Sequence, residues 1–494
     1  MWLTQLLERN RQCRPGRTAL VDEERSVTWA EFHDRTLELA RGLAELGIER
    51  GDRVAVLSKD RIEVLESYFA LARLGALFVP LNHSLAEPEV AGIIERVGAV
   101  AVIGESELLD RHPELPASVR IRLALDKPAF EALGTLAAER DLPEVADTDP
   151  IAVLHTSATT GQAKGVTVDS GSFRAIALGW LVMARPTDDI VMVSCCPLYH
   201  GSMVVSLTYL AAGATVVLMP GFTPQRALTA VERHRATHMW LVPQMLRFML
   251  QAKASHRTDL SCLREILYGA APMPLDVYAD AVERLGCGFR QVYGMTEVGG
   301  PFVTLGPDEH PAPGDVTARI PCGRVVPGMS ARAVDGGGRE LPPGEIGEIV
   351  VRGPGVMRGY WNDPQATREI TLDGWIRTGD LGFLDDEGRI SLVDRTKDVI
   401  IRAGQNVYPS EIERALLTHP AVRDAAVVGM PDEDYGEVPL AYVVPEPGAD
   451  PGAAALLGHV KGLLAPYKWP RRVEFIEQVP RNPAGKIVKK LLRA

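Results

Sequence analysis

"IAVLHTSATTGQAKGV", residues 151–166, joins an apolar run to a segment of hydroxyls, glycines and one lysine. The apolar residues Ile151 to Leu154 read as a buried strand. The stretch Thr156 to Lys164 offers the small side chains, hydroxyls and backbone N–H groups with which a loop surrounds phosphate oxygens. A helix is expected from about Ser172, so the local reading is strand, polar loop, helix. The G-x-x-x-x-G-K-[ST] spacing of a Walker loop is missing, and by itself such a stretch is more often an ordinary turn. Its purpose has to come from the rest of the chain.

The same alternation recurs on both sides. "DRVAVLS" (52–58) and "AVAVIG" (99–104) read as strands before the loop; "DIVMVSCC", "ATVVLMP", "THMWLVP", "LREILYG" and "GFRQVYG" come after it. Helical spacing of apolar residues lies between several of them, at 29–46 with Thr28 as its start signal, at 224–235 and at 274–285. Continuous apolar strands alternating with helices indicate buried parallel sheets, hence an α/β fold class, with two stacked α/β subdomains. After about residue 305 short strands separated by glycine and proline turns predict a β-rich subdomain. Beyond Arg395 a strand, helix, strand, strand, helix, strand pattern suffices for a small α+β domain. The charged "DRTKD" (394–398) is taken as the linker. It divides a large N-terminal domain, 1–394, from a small C-terminal domain, 395–494.

At 494 residues the chain is too long for one core. A net charge of −11 argues against general affinity for nucleic acid or anionic membrane. The six cysteines are scattered without a CxxC pair, which speaks against a disulfide framework or a zinc site and for a reducing cytoplasm. The N-terminal "MWLTQLLERNRQCRPG" meets charge too early for a signal peptide, and no run reaches the roughly 18–20 apolar residues of a membrane span. The expectation is a cytoplasmic monomer or homodimer acting on small molecules, with no nucleic acid and no integral membrane association. Lysine is scarce, ten against 43 arginines, so a lysine in motif-like surroundings carries weight.

Four further stretches carry chemistry. "QVYGMTEVGG" (291–300) presents Tyr293, Thr296 and Glu297: an aromatic can stack on a base, and a hydroxyl with a carboxylate can hold Mg2+ on a triphosphate. "TGD" (378–380) places Asp380 at a turn, suited to accept two ribose hydroxyls. "DRTKDVIIRAGQNVYPSEIE" (394–413) offers Arg395 and Lys397, and "PRNPAGKIVKK" (480–490) offers Lys486 after a flexible turn. Each alone reads as a turn, linker or charged tail; their order along the chain is what stands out.

Together with "GIERGDRVAV", "PLYH" (197–200), "GAAPMP" (269–274), "YGMTE", "RGY" (358–360) and "PAGKI", these stretches resemble the acyl-CoA synthetase branch of the adenylate-forming superfamily, over essentially all of residues 15–494. The resemblance implies a ligase with ATP/AMP, Mg2+ and coenzyme A. A carboxylate attacks the α-phosphate of ATP with release of pyrophosphate, and a thiol then expels AMP from the acyl-adenylate. It assigns Thr156, Ser157, Thr159, Thr160, Gly161 and Lys164 to the β- and γ-phosphates, Thr296 to the α-phosphate and Glu297 to the metal. Gly269, Ala270, Ala271 and Tyr293 frame adenine, and Asp380 and Arg395 hold ribose. Lys486 reaches the substrate carboxylate and α-phosphate, as suits a point charge on a flexible stem. Lys397 is the hinge about which the small domain rotates between half-reactions.

The resemblance also places an acyl pocket around Trp240, Gly201, Gly294 and Gly299. His200 gates it, meets the thioester carbonyl or serves the fold. These stretches hold no arginine for a second carboxylate, so a hydrophobic acid is expected: fatty, aryl or polycyclic. The acceptor is CoA or the thiol of an acyl carrier protein. The chain departs from the usual T-S-G-T-T-G-x-P-K-G at Ala158 and Ala163, and Asp394 replaces the usual glycine of the linker. A methyl at 158 leaves two alternatives open beside the full ligase: an enzyme that mainly thioesterifies a preformed acyl-adenylate, and an acyl- or adenylate-binding protein.

Overall fold

The computed structural model describes residues 1–136, 140–156, 163–199, 201–315, 320–481 and 487–493. Ser157, Ala158, Thr159, Thr160, Gly161, His200 and Lys486 therefore lie outside the described residues. Residue contacts divide the chain into two compact units: 1–330 with 352–370, and 331–351 with 371–494.

In the first unit, two sheets grow from the apolar runs of the sequence. A nine-stranded sheet has at its centre six parallel strands in the spatial order Gly288–Met295, Glu265–Gly269, His238–Leu241, Val191–Ser194, Thr215–Leu218, Thr18–Val21. A seven-stranded sheet carries Leu77–Leu81, Arg53–Leu57, Ala101–Gly104 and Ile121–Ala124 in parallel beside Pro150–His155. Burial on both sheet faces is why these strands are uninterrupted apolar runs. The helix expected at 29–46 is Trp29–Glu45, opened by a capping box in which Thr28 and Glu31 satisfy each other's backbone N–H groups. The segments 224–235 and 274–285 form Pro224–His234 and Leu275–Leu285.

The helix expected from about Ser172 is present as Ser170–Ala184, but a strand absent from the sequence reading comes before it. The polar loop after Pro150–His155 does not lead into a helix; it leads into Gly165–Asp169, which pairs antiparallel with the strand before the loop. The helix Ser170–Ala184 starts only then, capped by Asp169, whose carboxylate accepts from Ser172 N–H. Val166, Thr167 and Val168 are all buried, so "GVTVD" is a strand of a hairpin with Pro150–His155.

In the second unit, Gly347–Arg352, Trp375–Leu384 and Ile390–Arg395 belong to the five-stranded β-rich sheet. A further five-stranded sheet is built on the long hairpin Val422–Asp432 with Gly436–Pro445, and the helices Pro409–Leu417 and Ala453–Leu463 pack on it. The residue 394/395 division falls inside this unit. Ser410, in the first turn of helix Pro409–Leu417, donates from its N–H and hydroxyl to Asp394 and to the Val393 carbonyl, which ties the β-rich sheet to the first helix of the C-terminal segment.

Candidate active site

Strand order places the first half of the site. From Val191–Ser194 the chain crosses to one neighbour, Thr215–Leu218, and then to the other, His238–Leu241. Such a reversal opens a crevice at the carboxyl ends of parallel strands, where ligands bind in open α/β sheets. Those ends are Ser194, Leu241, Gly269 and Met295, and the expected site residues Trp240, Gly269, Ala270, Ala271, Tyr293, Thr296 and Glu297 sit at or just past them. Trp240 is paired with Ser194 and Leu267, and its indole N–H donates to Ser202 Oγ at 2.7 Å with both side chains buried. Ser202 thus holds the ring in one orientation. Gly201, the residue before the helix Ser202–Ala212, is exposed, and a Cβ there would meet nothing within 4 Å.

At the end of Glu265–Gly269 a Cβ on Gly269 would lie 2.4 Å from the Val292 carbonyl, so only glycine lets the neighbouring strand approach. Ala270 follows in the left-handed region with φ 65°, exposed, a conformation that costs an alanine about 1 kcal/mol or more. Tyr293 is half-buried within Gly288–Met295, its ring 5.3 Å from that of Phe302. Thr296 and Glu297 form the turn after this strand, pinned by Met357 N–H donating to the Glu297 carbonyl at 2.9 Å. Gly294 faces the close approach of strand Gly300–Leu305, and Gly299 closes the turn with φ 66°. Both are accounted for by the backbone.

The base of the hairpin brings the lysine of the opening stretch to a tyrosine ring that in turn contacts the Glu297 carboxylate. Thr156 N–H donates to the Lys164 carbonyl at 3.1 Å. The two-residue strand Gly359–Tyr360 pairs with Thr167 and Val166 on the hairpin's outer edge. The Lys164 ammonium lies 4.8 Å from the centre of the Tyr360 ring, and the Tyr360 hydroxyl donates to Glu297 Oε1 at 2.8 Å. Burial, and then the Glu297 carboxylate, push the Tyr360 phenol far above its usual range, so it stays a hydrogen-bond donor. Tyr360 is the residue the sequence reading missed; "RGY" was its signal, and the aromatic inside the motif was given no role. Next to the hairpin base, burial lowers His155 to about 4, and its Nδ1 has no partner among the described residues, so this imidazole is neutral at pH 7.

The second unit holds the other expected pair. Asp380 and Arg395 face each other across adjacent strands, with Arg395 Nε 2.6 Å from Asp380 Oδ1 and the carboxylate buried. Asp380, expected at a turn, lies within the strand Trp375–Leu384, where pairing with Ile390–Arg395 holds it, and Thr378 orders this stretch by donating to the Ile349 carbonyl at 2.7 Å and accepting from Asp380 N–H at 3.1 Å. Lys397 is exposed in the turn Thr396–Asp398. Partial burial lowers its ammonium; Asp398 opposes that, and the nearby cations Arg395 and Arg493 add to it.

The family model of the AMP-binding enzymes matches residues 7–361, and that of the AMP-binding enzyme C-terminal domain matches 411–486. The chain belongs to the adenylate-forming, AMP-binding enzymes. Among relatives of this AMP-binding enzyme, a fatty acid–[acyl-carrier-protein] ligase of Streptomyces coeruleorubidus is 36% identical over 99% of this chain and 96% of its own. A feruloyl-CoA synthase of an Amycolatopsis species is 37% identical, covering 97% and 96%. The ATP-bound crystal structure of MatB from Rhodopseudomonas palustris superposes with a TM-score of 0.91 at 31% identity, covering 99% of this chain and 98% of that one. Within the superfamily this AMP-binding enzyme falls in the acid–thiol ligase branch. No helix among the described residues is long and apolar enough to cross a membrane.

Proposed function

We propose that this enzyme joins a hydrophobic monocarboxylic acid to the thiol of coenzyme A through an acyl-adenylate made from ATP. The observation that carries this reading is the contact chain Lys164–Tyr360–Glu297 at the carboxyl ends of the parallel strands. With Lys164 over the Tyr360 ring and Glu297 at its hydroxyl, the reading gives the cation to phosphate oxygens and the carboxylate to a metal. Oxygen donors alone, the Thr296 hydroxyl and the Glu297 carboxylate, suit the hard cation Mg2+, which neutralises charge on the triphosphate when bound. Both lie in a half-exposed turn that a nucleotide can reach.

The other roles follow from residue chemistry and from the family. Gly269, Ala270 and Ala271 offer backbone edges and Tyr293 a ring to adenine. Asp380, oriented by Arg395, accepts the ribose hydroxyls. Thr156, Ser157, Thr159, Thr160, Gly161 and Lys164 surround the β- and γ-phosphates, and Thr296 donates to the α-phosphate. Lys486 steadies the incoming carboxylate against that phosphorus. Bringing two anions together needs cations already in place, since solvent reorganisation would otherwise raise the barrier. In the second half-reaction the domain 395–494 rotates about Lys397, Lys486 leaves, and His200 meets the thioester carbonyl.

The family resemblance assigns Trp240, Gly201, Gly294 and Gly299 to the acyl pocket. The buried, hydrogen-bonded Trp240 ring favours a compact apolar acid such as an aryl acid. The relatives named for fatty acyl-carrier-protein and feruloyl-CoA ligation leave both thiol acceptors to be compared.

The test is acid-dependent ATP–pyrophosphate exchange across a panel of aryl and fatty acids, run beside thioester formation from synthetic acyl-adenylate and CoA. Exchange with an aryl acid is expected. Thioester formation without exchange establishes the preformed-adenylate enzyme instead, and absence of both establishes a binding protein.

A further inference from the structure

Asp394 has a defined place in the structure. It lies near the end of the strand Ile390–Arg395, half-buried, and its carboxylate accepts two backbone hydrogen bonds: from Arg395 N–H to Oδ1 at 2.8 Å, and from Ser410 N–H to Oδ2 at 2.9 Å. Ser410 lies in the first turn of helix Pro409–Leu417, where N–H groups lack helical partners and a carboxylate is favoured by the helix dipole. The Ser410 hydroxyl donates to the Val393 carbonyl beside it. On the same helix, Glu413 forms a 2.9 Å ion pair with Lys489, and Asp394 raises the affinity of that ammonium for its proton. One carboxylate therefore links the strand that bears Arg395 to the helix that begins the next domain. The turn Thr396–Asp398, with Lys397 in its middle, lies between the two anchoring points.

We propose that Asp394 is a positioning residue, a clasp that spans the hinge and sets the balance between the two half-reactions. The inference rests on the ligase reading, in which the chain pivots at Lys397. A pivot there moves Ser410 relative to Asp394, so the two Ser410 bonds hold in one arrangement and break in the other. Glycine at 394 has no side chain with which to hold. A carboxylate accepting a backbone N–H shifts an equilibrium by about ten- to a hundred-fold. The bond to Arg395 N–H also fixes the strand end from which Arg395 reaches Asp380.

The experiment uses the full-length enzyme and Asp394→Gly, with Asp394→Asn as the conservative variant and Ser410→Ala as a control that keeps the N–H donor. Hydrogen–deuterium exchange of the peptide covering Ser410 is monitored together with both half-reaction rates: acid-dependent pyrophosphate exchange, and thioester formation from synthetic acyl-adenylate. In Asp394→Gly the Ser410 amide is expected to exchange about ten-fold faster or more. The two half-reaction rates are expected to move in opposite directions, changing their ratio by about ten-fold. Asn, whose amide oxygen still accepts from Ser410, restores most of both, and Ser410→Ala retains slow amide exchange. Unchanged exchange at Ser410, or two rates that fall in parallel, overturns the proposal. An unsubstituted enzyme with neither half-reaction refutes the ligase reading, and amide exchange then still decides whether the clasp exists.

Discussion

Asp60 offers a prediction whose sign and slope come from burial. It lies just past the strand Arg53–Leu57 and is buried, with both carboxyl oxygens near one donor, the Leu198 N–H, at 2.9 and 3.1 Å. Its other polar neighbours, the Cys196 thiol and the Tyr199 hydroxyl, carry no positive charge and are themselves pushed up partly by Asp60. Burial dominates and lifts the carboxyl from its ordinary 3.8 to about 8, with the Leu198 bond opposing. Because the folded value is raised, the folded state holds a proton that the unfolded chain releases between pH 4 and 8. The contribution to stability is full below pH 4 and lost as pH rises toward 8, by up to about 1.4 kcal/mol per pH unit. Asp60→Asn removes the titration and keeps an acceptor for Leu198. The unfolding free energy of the variant minus that of the natural enzyme should therefore grow by roughly 2–3 kcal/mol from pH 5 to pH 7. Urea unfolding monitored by tryptophan fluorescence at several pH values measures it. A difference that stays flat over this range refutes the reasoning.

Three other outcomes are expected. Tyr360→Phe removes the donor to Glu297 and should lower kcat/KM for ATP by about ten- to a hundred-fold, the worth of a hydrogen bond to a charged group, with little change in stability; an unchanged kcat/KM shows that Glu297 needs no such support. Lys489→Met leaves the half-buried Glu413 carboxylate with only the Val427 N–H as a partner and should cost about 1–3 kcal/mol in urea unfolding of the second unit, while Lys489→Met with Glu413→Met recovers most of it. A loss below about 1 kcal/mol from the single change would place the pair in effective contact with water. Trp240→Ala leaves Ser202 without its indole donor and opens space at the strand end, so kcat/KM should shift toward bulkier acids at a cost of about 3–5 kcal/mol in stability. A variant with the natural preference order among acids removes Trp240 from the pocket.

The sheets were legible because strands buried on both faces must be apolar runs, and "VMVS", "HMWL" and "EILYG" are. The helix at Trp29–Glu45 was legible from its cap and period. The strand Gly165–Asp169 was missed because its five residues lie between the polar loop and the serines of the next helix, where alternation is short. Tyr360 could not be placed from sequence, since its role depends on a two-residue strand pairing with Val166 far along the chain. Asp394 was visible only as a departure from glycine. Its partner Ser410 is 16 residues away, and only the packing of a helix start against a strand end shows why a carboxylate fits there. The division at 394/395 reflects the charge of the linker, whereas contacts join the β-rich sheet to the C-terminal segment.

The central claim, an acyl-adenylate as obligatory intermediate, is tested most directly by single-turnover chemistry with ATP labelled at the α-phosphate. The enzyme is mixed with ATP, Mg2+ and an aryl acid without CoA, quenched, and then chased with CoA in a second sample. Acyl-adenylate should accumulate to a stoichiometric fraction of the enzyme and convert to thioester and AMP in the chase. Lys486→Ala should form none, yet should thioesterify adenylate supplied from outside. Thioester appearing without labelled adenylate, or Lys486→Ala losing both steps equally, would contradict the account.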